Sequence, residues 1–173
     1  MKRHVAKIGV ALLSVATLLT TAGCSTRAQQ AFSVNGVVTS TSDVASMASG
    51  CATALGGDTS MISASGLVSD MIRADLARLV ASQNNITYSD DELRQPIEAG
   101  SLGSLATMML NDPSCAQLAM GLTLQVLASD QLGASVFQAA TVDIPVTVNP
   151  RFGAWSPADM AVDGSGSLSQ ADS

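Results

Sequence analysis

The sequence predicts a mainly α fold, a small helical bundle closed by a minor β pairing between its N-terminal and C-terminal segments. Three observations carry this. Capped segments with helical spacing of apolar residues fill the middle of the chain. The first and last ordered segments share β-prone composition, at "AFSVNGVVTS" (31–40) and "TVDIPVTVN" (141–149). The 173 residues include only three Phe, one Tyr and one Trp, and two of those five, Phe152 and Trp155, directly follow the second β-prone segment.

Each element has a local reason. Asn35-Gly36 supplies the two positive φ angles of a type I′ turn, so residues 31–40 read as a strand and tight turn. Ser40 to Ser42 offer N-caps with Asp43 in the first turn, and the helix runs to about Leu55 before Gly56-Gly57. From about Ser65 to Ser82, Val68, Ile72, Leu76 and Leu79–Val80 form one stripe, flanked by Leu67 and Met71, with Arg73 and Arg78 facing away. Ser89 with Glu92 is a capping box, Asp90 and Asp91 suit a helix start, and Gly100 suits its end. This acidic run lacks the alternating oxygen spacing of a calcium loop.

"SLGSLATMML" (101–110) reads as a short apolar helix, and Asp112-Pro113 restarts the chain as N-cap and first helical residue. No charge occurs from Ser114 to Ser129, which places that helix at the centre of the bundle. Gly133 ends it, a short helix follows to Ala140, and residues 141–149 read as a strand in which Pro145 favours an edge position. After Trp155 the composition turns to Gly, Ser and Asp, and disorder is expected.

The N-terminus is an export signal. Lys2, Arg3 and Lys7 precede an apolar run from Ile8 to Thr20 that is too short to span a bilayer, and Thr21-Ala22-Gly23 are small. Cys24 follows directly, which resembles a bacterial lipobox with Thr21 in place of the usual Leu. The alternative is an ordinary secretory signal with an incidental Cys. Two acyl chains, at about 0.8 kcal/mol per buried CH₂, hold a protein on a membrane where one does not. The chain then divides into a lipoprotein signal peptide (1–23), a lipidated tether (24–30), a helical domain (31–160) and a disordered tail (161–173), placing the protein on the extracytoplasmic face of the cell membrane. Cys24→Ser is expected to release it from membranes or leave it unprocessed, and detergent partitioning that ignores the substitution would contradict the assignment.

Both lysines and the only histidine, His4, lie in the signal, so residues 24–173 keep five Arg against 14 acidic residues, 5 − 14 = −9. Five scattered Arg do not make a nucleic-acid surface. Without His or Lys there is no Ser-His-Asp or Cys-His machinery, no histidine metal ligand and no Schiff base. Enzymatic activity, a cofactor and a metal are therefore not expected. Cys51 and Cys115 are an even pair in an exported chain and read as a disulfide, the alternative being two buried thiols. Seven Met (47, 61, 71, 108, 109, 120 and 160) either fill the core of an aromatic-poor protein or line a promiscuous apolar groove. Core filling is the preferred reading.

The stretch "TVNPRFGAW" (147–155) is the candidate closing motif or contact. Asn149-Pro150 starts a turn, Gly153 permits the exit, and Phe152 with Trp155 folds back as an apolar plug, leaving Arg151 exposed as a polar contact for a partner. On this reading Trp155→Ala costs about 3–5 kcal/mol. The rival reading makes the aromatic pair an exposed client contact.

Taken in order, the acylated Cys, the short linker, the "-SVNG-" strand and turn, the "SDDEL" capped helix and the closing "VTVNPRFGAW" resemble one family. They are similar to the N-terminal chaperone domain of SurA/PrsA-type foldases and to the SurA-like lipoproteins of high-GC Gram-positive bacteria, over roughly residues 30–158. The parvulin-type isomerase domain of full foldases has no counterpart here, since no His follows residue 4. The resemblance implies a membrane-anchored holdase that contacts unfolded or extended polypeptide through an apolar groove, without prolyl isomerase activity. The alternative is an envelope scaffold lipoprotein with one specific protein partner.

Overall fold

Asn35 and Gly36 adopt φ of 50° and 81°, and this two-residue turn joins strand β1 (Gln30–Val34) to β2 (Val37–Ser40) in an antiparallel hairpin. That match between turn and twist is what Asn-Gly encodes. A computed structural model of the protein describes residues 29–164. The export signal, Cys24, most of the tether and the end of the tail lie outside the described residues.

Side chains close the helix starts as the sequence requires. Ser40 caps α1 (Thr41–Ala54) in a reciprocal capping box with Asp43, and a short 3₁₀ turn at Thr59–Met61 leads on from it. Ser63 caps α2 (Ala64–Gln83), and Ser89 with Glu92 boxes α3 (Asp90–Glu98). Gly100, at φ 72°, turns the chain out of α3. The short α4 (Ser104–Met109) buries no residue fully. Asp112 accepts from the amides of Ser114 and Cys115 at the start of α5 (Pro113–Leu132). Gly133, at φ 88°, separates α5 from α6 (Ala134–Val142).

Helix α5 lies at the centre, in contact with every other α-helix among the described residues, as its uncharged stretch from Ser114 to Ser129 predicts. It approaches α2 closely: a Cβ on Gly121 would collide with Ala74 and press on the Arg78 guanidinium. Arg78 therefore does not simply face away. It pairs with Asp75 and reaches the Gln117 carbonyl on α5 at 3.4 Å. Cys51 on α1 and Cys115 on α5 form a disulfide across a sequence separation of 64, and both are buried.

The two ends of the chain meet in a sheet of order β2-β1-β3, where β3 is Val146–Val148. Phe32 faces Val148, Ser33 faces Thr147 and Val34 faces Val146, all antiparallel. The Asn149 amide donates to the Ala31 carbonyl and the Asn35 amide to the Pro145 carbonyl, each at 2.8 Å. One face of this sheet packs on the helices: Ala31, Phe32 and Val34 join Val44, Leu67, Val68, Ile72, Leu76 and Leu118 in the main core. A second cluster gathers Val80, Ile86, Ala128 and Phe137.

The C-terminal segment departs from expectation in two ways. The strand is Val146–Val148 rather than 141–149. Thr141 and Val142 complete α6, the Ile144 amide bonds back to the Thr141 carbonyl, and the strand starts only after Pro145, which has no amide to offer a ladder. The disordered tail assigned to 161–173 also begins too early. Ala154–Ser156 (β4) pairs with Ala161–Asp163 (β5) in a second small hairpin. Ser69 on α2 explains this order: its buried hydroxyl donates to the Ser65 carbonyl and accepts the Val162 amide, both at 2.8 Å. Gly153, at φ 123°, makes the hairpin possible, because a Cβ there would overlap the Asp163 carbonyl.

Candidate functional site

The outer face of the three-stranded sheet forms a groove of about 650 Å³ lined by Gln30, Ser33, Val38, Thr147, Val148, Asn149 and Pro150. The strand period of two produces it. Phe32 and Val34 point into the core, so Ser33 points out, between Val38 on β2 and Thr147 on β3. The Ser33 and Thr147 hydroxyls share a 2.7 Å hydrogen bond, and the Gln30 amide reaches Thr147 at 3.4 Å. None of the lining side chains is charged, in a chain whose acidic residues greatly outnumber its basic ones.

The closing motif is split between this groove and the core. Asn149 clamps β1, donating from Nδ2 to the Gln30 carbonyl at 2.9 Å, while its Oδ1 accepts the Arg151 amide at 3.2 Å. The Phe152 amide returns to the Asn149 carbonyl at 2.9 Å and closes the turn. Pro150 lines the groove wall. Arg151 is exposed, with its guanidinium 4.9 Å from the Phe152 ring centroid. Phe152 and Trp155 both pack against the main core, which favours the plug over the exposed contact. Trp155 is only half-buried, facing Val162 across the second hairpin. Trp155→Ala is accordingly expected to cost about 1–2 kcal/mol rather than the 3–5 kcal/mol of full burial, with partly quencher-accessible emission from this single tryptophan. An unchanged melting temperature would contradict it.

The methionines divide. Met120 is buried, Met47, Met71, Met109 and Met160 pack partly on the core clusters, and Met61 and Met108 are exposed. Met47 and Met71 also line a smaller groove of about 260 Å³ with Asp75, Arg78 and Leu118. Leu102, in the turn before α4, and Leu105 and Met108 on α4 are also exposed apolar residues.

The perturbed carboxyls each have a local cause. Hydrogen bonds from the Ser40 hydroxyl and amide hold Asp43 below its usual range, and the Ser89 amide and hydroxyl do the same for Glu92. Burial raises Asp70 and Asp75, opposed by Arg73 and Arg78 respectively. Among the described residues no group of three or more His, Cys, Asp or Glu side chains could hold a metal ion, and no helix is long and apolar enough to cross a membrane. Sequence reasoning missed Gln30, Ser33 and Val38, whose convergence with Asn149 and Pro150 depends on strand register. No known protein family, curated protein or solved structure matches this chain.

Proposed function

We propose that the protein is a lipid-anchored, extracytoplasmic holdase that binds unfolded or extended polypeptide and has no prolyl isomerase activity. The observation that carries this reading is the uncharged groove on the open sheet face, lined by backbone-proximal Ser, Thr, Asn and Gln with Val38 and Pro150. Small polar groups beside apolar ones suit a backbone of varied sequence better than they suit one charged ligand. Cys24 lies six residues before Gln30, the first groove residue. At roughly 3.3–3.6 Å per residue, the tether keeps that end of the groove within about 20 Å of an acylated Cys24. Polypeptide emerging at the membrane surface is then within reach.

The test uses the mature chain. It is expected to suppress the aggregation of at least two unrelated chemically unfolded proteins, followed by light scattering at equimolar ratio. Lack of suppression for every such protein would contradict the holdase reading. The exposed apolar side chains of Leu102, before α4, and of Leu105 and Met108 on it favour the second reading, an envelope scaffold with one partner. That reading predicts one stoichiometric partner in a pulldown from detergent-solubilised membranes and no suppression of general aggregation.

A further inference from the structure

We infer that the free edge of β2 takes up an extended, uncharged polypeptide segment as a fourth strand of the β2-β1-β3 sheet. The inference rests on the proposed binding of extended polypeptide and specifies how it is held. The hydrogen-bond parity of β1 fixes which groups are free. Ala31 and Asn35 bond to β3, and Ser33 pairs with Thr147, so the odd residues of β1 face β3. Phe32 and Val34 therefore face β2, opposite Thr39 and Val37. Val38, opposite Ser33, turns its N–H and C=O outward.

An open edge of this kind is ordinarily guarded by a charge or a proline. Val37, Val38 and Thr39 provide neither, the Asp43 carboxylate closing only the Ser40 end, and Val37 and Val38 are 70% and 58% exposed. The other edge is different: Pro145 precedes β3, and β4 lies against it. Edge and groove are also continuous, because the Val38 side chain lines the groove while its backbone forms the edge. A strand added there would extend the uncharged outer face. An acidic segment would be repelled by the net charge of −9 over residues 24–173, and the groove has no charged side chain to hold a charged segment in register.

A second copy fits this edge less well. The Ser40 amide is taken by the Asp43 carboxylate at 2.9 Å, so two copies pairing about Val38 would share a contact of very few residues, far below the area of a stable dimer. A longer foreign segment can continue from the edge along the open face.

The experiment measures fluorescence anisotropy of a labelled, end-capped ten-residue peptide of alternating Val and Thr with the mature protein. Wild type is expected to bind it. Val38→Pro removes the outward N–H without breaking the β1–β2 ladder and should weaken binding at least tenfold, whereas Val38→Thr keeps the backbone and should stay within about threefold. The same peptide N-methylated at every residue, which leaves neither strand edge a donor, should not bind wild type, an arm that holds even if Val38→Pro misfolds by circular dichroism. Equal binding of the N-methylated peptide, or of folded Val38→Pro, would overturn strand addition while leaving groove binding in place. Suppression of aggregation without peptide binding would also overturn it. Absence of both activities would sink the holdase reading as well. A wild-type dimer in sedimentation that Val38→Pro converts to monomer would assign the edge to a second copy and overturn the inference.

Discussion

Phe32→Ala is expected to destabilise the protein by about 3–5 kcal/mol, the range for truncating a fully buried phenylalanine. Phe32 is fully buried and sits in the middle strand, facing Thr39 on one side and Val148 on the other. Its ring lies in the cluster that joins the sheet to α1, α2 and α5. In a chain so poor in aromatics, few other side chains are large enough to fill the space it would leave. Set against the roughly 5–15 kcal/mol of a typical domain, the loss takes up a large fraction of the total. Urea unfolding followed by far-UV circular dichroism would measure it. A shift below about 1 kcal/mol would mean that the sheet is not part of the cooperative core.

The double variant Cys51→Ala/Cys115→Ala should lose a comparable amount. The disulfide spans a separation of 64 residues, for which the loss of loop entropy in the unfolded chain is worth about 4 kcal/mol. It ties the end of α1 to the start of α5, and both cysteines belong to the main core. At roughly 3–5 °C per kcal/mol for a domain of this size, the melting temperature should fall by on the order of 15 °C. Because the stabilisation acts chiefly on the unfolded state, the amide chemical shifts of the folded protein away from the bridge should change little, while its most protected amides exchange faster. A fall of only a few degrees would show that the unfolded chain stays compact without the bridge.

The features legible in the sequence were those encoded within a few residues. Asn35-Gly36, the Ser40 and Ser89 boxes, Asp112-Pro113 and the glycines at 100 and 133 all depend on local backbone chemistry, and each terminates or turns an element where expected. The β1–β3 closure was legible from shared β character, although its length was not, because Pro145 and the end of α6 share one short stretch. The β4–β5 hairpin was hidden. Its strands have three residues each, and what holds β5 is a hydroxyl from Ser69, distant in sequence. For the candidate site, Asn149 and Pro150 stood out by turn chemistry. Gln30, Ser33 and Val38 did not, since an outward-facing strand residue looks like any polar or β-branched residue until the register is known.

On the proposed function, the sheet face receives many different extended polypeptides at the membrane. The most direct measurement places a photo-cross-linking amino acid at Thr147, exposed in the groove, in the full-length protein in its native cell. A control carries it at Ser82, exposed near the end of α2. Membranes are irradiated and adducts are identified by mass spectrometry. Membrane-bound adducts with many unrelated proteins are expected from position 147 and few from position 82. A single adduct of one mass from position 147, or none above the level at position 82, would contradict the proposed function.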